Sequence, residues 1–131
     1  MQEVFMGAQE QIGVLVVDDH AGIRAGLARL IDAERPALRC LGLAENAAQA
    51  LALAQGLQPQ VVLLDVNLGG EDGLALIPAL RAASACAVLV LTHAPGALLA
   101  ALALRQGAVA CLDKAAPSDR LLAALRLAAR R

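Results

Sequence analysis

Five short, almost wholly apolar runs punctuate this chain, at residues 12–17, 38–44, 61–64, 85–91 and 109–112, and each is followed by a stretch with helical spacing. A strand without polar alternation is buried on both of its faces. The intervening stretches carry an apolar stripe, as in Ile23, Leu27, Leu30 and Ile31, which share one side of a helix over residues 23–33. Alternation of this kind predicts a parallel sheet with right-handed helical crossovers on both faces, a doubly wound α/β domain.

The punctuation supports that reading. Pro36 closes the first helix. Asn46 suits the N-cap of a second helix reaching residue 57, which Gln58-Pro59 ends. Residues 67–73 read as a polar, Gly-rich loop, and 74–83 as a helix that tolerates Pro78 only near its first turn. Gly107 stops a helix over 96–106. Pro117 suits the first turn of the last helix, which runs to the C-terminus.

Composition narrows the choices further. Hydrophobic residues make up 59% of the chain but aromatics only 1%, so Ala, Leu and Val must build the core. A net charge of −1 carries no electrostatic footprint for nucleic acid or membrane. The basic residues from Arg120 onward complement the dipole of the last helix. Cys40, Cys86 and Cys111 match neither a zinc spacing nor a disulfide framework, and read as small residues of a reducing, cytoplasmic protein. Residues 84–104 carry no charge apart from His93, but Thr92, Pro95 and Gly96 divide them into strand, turn and helix rather than a membrane span. Residues 1–11 are expected to be a disordered leader, and 12–131 one domain.

Polar residues close four of the five runs: Asp18 and Asp19, Asp65, Thr92, and Lys114. In a parallel sheet these C-terminal ends share one edge, where ligands bind. Clustered carboxylates repel one another, and a hard divalent cation such as Mg2+ relieves that repulsion. A lysine adds a point charge for a phosphoryl oxygen, a threonine a short donor, and an aspartate can act as nucleophile to form an acyl phosphate. Taken singly, Asp18 or Asp19 suits a helix N-cap, Thr92 a turn and Lys114 a solvated surface. Asp19 could cap the first helix while binding metal through its other oxygen. His20 and His93 read as rim contacts, Asp113 as an exposed neighbour, and Glu71 and Asp72 as acids near a helix start.

The order and spacing of these residues resemble the receiver domains of response regulators over nearly all of residues 12–131. The matching segments are VLVVDDH, VVLLDVNLGGEDG, VLVLTHA and GAVACLDKAAP. The VDDH opening and the last run are similar to receivers of LuxR-type helix-turn-helix regulators. The resemblance implies a flavodoxin-like fold, a five-stranded parallel sheet in the order 2-1-3-4-5 with five helices. It implies Asp65 as phosphoacceptor, with Lys114 and Thr92 holding phosphoryl oxygens. It implies Mg2+ held by Asp19, Asp65 and the Asn67 carbonyl, with Asp18 positioning the ion, and Gly73 matches a glycine that follows the phosphoacceptor. The partners implied are a sensor histidine kinase or phosphotransfer protein, and a second copy through the last two helices and last strand, with no nucleic acid or membrane contacted by this chain. The chain is expected to catalyse only its own phosphorylation and dephosphorylation.

Three departures stand out. Thr92 and Cys111 occupy the switch positions, but the family commonly has Tyr or Phe where Cys111 stands, so an aromatic flip is unavailable. Leu68-Gly69 replaces a common Met-Pro and should loosen the loop. Ala115 replaces a frequent cis-proline, so the Lys114–Ala115 bond is expected to be trans. Two other readings stay open. One is a receiver-fold interaction module that works without phosphorylation. The other is an Asp-nucleophile phosphatase, disfavoured because Asn67 stands where its second, acid/base aspartate would be.

Overall fold

A computed structural model describes residues 11–130. The expected leader, apart from Gln11, and the terminal Arg131 lie outside the described residues. The apolar run 12–17 forms β1 (Ile12–Val17), paired in parallel with β2 (Leu38–Ala44) on one side and β3 (Val61–Asp65) on the other. Beyond β3 lie β6 (Ala87–Thr92) and β7 (Ala110–Asp113), also parallel. The sheet order is β2-β1-β3-β6-β7. With the two strands of a small separate ribbon left out of the count, this is the expected 2-1-3-4-5 order.

Side chains alternate across the sheet, and the burial follows that alternation. Leu15, Val17, Val62, Leu64, Val88 and Val90 face one side, against α2 (Ala47–Leu57), α3 (Gly73–Ala83) and α4 (Ala97–Gln106). Val14, Val16, Val61, Leu63, Leu89 and Leu91 face the other, against α1 (Ala21–Asp32) and α5 (Ser118–Ala129). Helix α2 meets the sheet with the small side chains of Ala50 and Ala54, both fully buried. Among the described residues no helix is long and apolar enough to cross a membrane.

The expected caps form at Asn46, whose side chain accepts from the Gln49 amide at 2.9 Å, and at Gly107, whose φ of 114° ends α4. Other details differ. Helix α1 begins at Ala21, and neither Asp18 nor Asp19 caps it: His20 is the N-cap residue, without a side-chain cap bond. Asp18 Oδ1 instead accepts from the His20 amide at 2.9 Å, which turns the chain off the end of β1. Pro117 stands one residue ahead of α5, at its N-cap rather than inside its first turn. Pro78 lies in the second turn of α3, where it has no N–H for the Leu74 carbonyl. The Lys114–Ala115 bond is trans.

The expected loose loop after β3 is a two-stranded antiparallel ribbon, β4 (Asn67–Leu68) with β5 (Glu71–Asp72). Gly69 and Gly70 turn it with φ of 58° and 94°, left-handed values that glycine adopts without strain. The ribbon is tied down at its far end. Glu71 Oε1 accepts from the Ala47 amide at the start of α2 at 2.9 Å, and Asp72 Oδ1 caps α3 through the Leu74 amide at 3.0 Å. Both acids do sit at helix starts, but Glu71 serves a different helix from its sequence neighbour.

Candidate functional site

The C-terminal ends of β1, β3, β6 and β7 bring Asp18, Asp19, Asp65, Thr92 and Lys114 to one edge of the sheet. Asp65 is the last residue of β3, opposite Leu91, and is 5% exposed. Its backbone is pinned by close packing. A Cβ on Gly73 would fall 2.6 Å from the Asp65 carbonyl oxygen and 2.7 Å from Val66 Cα, so only glycine lets α3 start this close to β3. The Gly73 amide donates to the Val66 carbonyl at 2.9 Å, completing the fit.

Lys114 reaches across from the end of β7. Its ammonium donates to Asp18 Oδ2 at 2.8 Å and to Asp65 Oδ2 at 3.0 Å. The remaining oxygens are used locally: Asp65 Oδ1 accepts from the Asn67 amide at 3.2 Å, and Asp18 Oδ1 from the His20 amide. Burial by itself would raise the Asp18 pKa. The Lys114 hydrogen bond and the His20 amide outweigh it and hold the carboxyl below its ordinary value. Burial likewise works against the Lys114 charge, and the bonds to Asp18 and Asp65 overcome it and raise the ammonium pKa.

Asp19 is different. Its Oδ1 is buried yet takes no hydrogen bond. A buried carboxyl oxygen left without a hydrogen bond is costly unless a cation completes its surroundings. Ligand atoms of Asp18, Asp19, His20 and Asp65 lie within 4.8 Å of one another. Carboxylate-rich donor sets of this kind suit hard divalent ions, so the residues present fit Mg2+.

The sequence expectations meet the geometry unevenly. Asp18, Asp19, Asp65 and Lys114 converge. Thr92 is buried at the end of β6, but its hydroxyl accepts from the Ala94 amide at 3.5 Å rather than bonding the carboxylates. It is linked to the cluster through the backbone, where the Lys114 amide donates to the Thr92 carbonyl at 2.8 Å. Cys111 is half-buried, opposite Val90, and burial pushes its thiol pKa up. Asp113 is half-buried rather than exposed, and its carboxylate accepts from the Ala115 amide at 2.8 Å.

One contact was not expected. Arg24 Nη1 donates to the Asp18 carbonyl at 2.7 Å, bracing the turn that carries the acidic pair. A basic residue in the first turn of a helix opposes the helix dipole, and that misplacement was the available signal. His20 Nδ1 lies 3.2 Å from Asp18 Oδ1 and 2.9 Å from Asp19 Oδ1, a contact made from the exposed rim of the cluster.

Comparison with known proteins agrees with this fold. The family model described as the response regulator receiver domain matches residues 14–126. The nitrate/nitrite response regulator protein NarL of Escherichia coli (strain K12) is 34% identical over 128 residues, 95% of this chain and 57% of that protein. The chain spans little more than half the length, or less, of the curated relatives it matches. Among solved structures, the signal receiver domain of the putative response regulator NarL from Mycobacterium tuberculosis has a TM-score of 0.85 at 30% identity, covering 92% of this chain and 98% of that one. A response regulator protein from Burkholderia pseudomallei, solved with a phosphorylated aspartic acid, calcium ion and citrate, has a TM-score of 0.79 at 32% identity, covering 92% of this chain and 69% of that one.

Proposed function

The chain belongs to the response-regulator receiver family, and from that premise we propose that Asp65 accepts a phosphoryl group from the phosphohistidine of a sensor kinase or phosphotransfer protein. The observation that carries this reading is the buried Asp65 carboxylate bonded to Lys114 beside Asp18 and the undersatisfied Asp19. A carboxylate oxygen of Asp65 forms the new P–O bond as the P–N bond of the donor breaks, and the leaving imidazole takes up a proton. The Lys114 ammonium, already 3.0 Å from Asp65, would follow the charge onto a phosphoryl oxygen. The Thr92 hydroxyl would exchange its long bond from Ala94 for one to the same group. Asp19, Asp65 and the Asn67 carbonyl would hold Mg2+, with Asp18 positioning it; when bound, the ion neutralises charge on the transferring group. Hydrolysis of the acyl phosphate at the same site resets the switch, and the chain turns over no external substrate.

Phosphorylation would alter the surface formed by α4, β7 and α5, the face on which this reading places a second copy of the chain. Regulation of transcription in the cytoplasm, as part of a longer regulator, belongs to the same proposal. The test is incubation of the chain with Mg2+ and acetyl phosphate, or with beryllofluoride, followed by intact mass or fluorine NMR. An adduct that disappears in Asp65→Asn is expected; no Asp65-dependent adduct would sink the reading.

Cys111 favours a second reading, a receiver-fold module that binds its partner constitutively, because no ring stands at the usual switch position. That reading requires Asp65→Asn to bind the partner as the unmodified and phosphorylated wild type do. A phosphorylation-dependent difference in the wild type would exclude it.

A further inference from the structure

The family resemblance assigns the metal to carboxylates and one carbonyl, and it leaves His20 without a part. We propose that His20 Nδ1 is an additional metal ligand, so that this site takes divalent transition ions of the Ni2+ and Co2+ class more tightly than Mg2+. The inference rests on the metal-binding reading above and extends it from one hard cation to a class of borderline ones.

Three observations converge on the imidazole. The first is spacing. Adjacent ligand atoms of an octahedral ion with bonds of about 2.1 Å stand about 3 Å apart. His20 Nδ1 keeps that separation from two carboxylate oxygens at once, 3.2 Å from Asp18 and 2.9 Å from Asp19. The second is the state of Asp19 Oδ1. The nitrogen bonds Asp18 Oδ1 and lies still closer to Asp19 Oδ1, yet the latter atom takes no hydrogen bond. An ion shared by both groups would satisfy the oxygen as the imidazole alone does not.

The third is the way His20 is held. It occupies the N-cap position of α1 but caps nothing with its ring. Its amide is fixed to Asp18, which holds the side chain over the acidic pair, while the ring stays 62% exposed. The ring can therefore ligate an incoming ion without being pulled out of a packed interior. Imidazole adds little to the binding of Mg2+, which prefers oxygen and keeps its waters, but it adds strongly for Ni2+ and Co2+. The thiols of Cys40, Cys86 and Cys111 are not part of this group.

Calorimetric titration of the full chain with Mg2+ and with Ni2+, in wild type, His20→Ala and Asp19→Asn, tests the inference. The wild type should bind Ni2+ more tightly than Mg2+. His20→Ala should weaken Ni2+ by about tenfold or more while changing Mg2+ by about twofold or less, and Asp19→Asn should lose both. In the Mn2+-loaded wild type, electron spin-echo spectra should carry an imidazole-nitrogen coupling that His20→Ala removes. Equal Ni2+ affinity in wild type and His20→Ala, an equal loss for both metals, or Ni2+ binding that survives Asp19→Asn would each overturn it. If the wild type binds Mg2+ and beryllofluoride normally, only the role of His20 falls. If it binds neither, the receiver-type metal site falls as well.

Discussion

Lys114 Nζ stands 3.0 Å from Asp65 Oδ2, so the proposed phosphoryl-binding cation is already bonded to the proposed acceptor before any phosphoryl group arrives. The same ammonium also serves Asp18. Replacing it by Met leaves two buried carboxylates without their shared counter-charge. Lys114→Met should lose about 1–3 kcal/mol of stability without metal, and less in saturating Mg2+. Urea unfolding with and without the ion measures both. An identical loss in the two conditions would mean that the ion does not share these carboxylates.

The pH dependence of this ion pair has a definite sign. Asp18 is depressed from its ordinary value of 3.8, so its contribution is present above 3.8 and is lost as pH falls through the lower folded value. Lys114 is raised from 10.5, so its contribution is full below 10.5 and is lost as pH rises through the higher folded value. The stability difference between wild type and Lys114→Met should therefore be level between those limits and shrink beyond each. A slope confined to neutral pH would contradict the assignment.

Asp19 brings a buried carboxyl oxygen that takes no hydrogen bond within the fold. Asp19→Asn should raise the stability of the chain in chelator by about 1 kcal/mol while abolishing Mg2+ binding. Thermal melts in chelator and calorimetric titration give the two readouts. A destabilised variant would assign Asp19 a structural duty through its neighbour His20.

Gly73 fixes where Asp65 sits. In Gly73→Ala the new methyl meets backbone at 2.6 and 2.7 Å, and backbone cannot rotate aside as a side chain can. A loss of about 1–3 kcal/mol in urea unfolding is expected, with slower adduct formation at Asp65 than in wild type. Unchanged adduct kinetics would separate the packing of Gly73 from the placement of Asp65.

The layered fold was legible because burial on both faces of a strand and on one stripe of a helix leaves a periodic trace in the residues themselves. The grouping of Asp18, Asp65 and Lys114 followed from the same logic, since parallel strands end on one edge. What escaped depends on contacts between elements, which leave no period. The bond from Arg24 to the Asp18 carbonyl is of this kind. Thr92 lies at the expected strand end, but its hydroxyl is engaged by a local turn that sequence position alone does not reveal. The ribbon is the exception: Gly69-Gly70 between Leu68 and Glu71 is a hairpin signature, while Gly69 in place of the common proline points instead to looseness.

That ribbon changes what the segment after Asp65 contributes to ligand binding. Its two ends are bonded to each other, and Glu71 anchors it to the first residue of α2. The conformational entropy of the stretch around Asn67 is thus surrendered once, when the chain folds. An ion or phosphoryl group arriving later meets a preorganised wall, and little of its binding energy is consumed in ordering that wall.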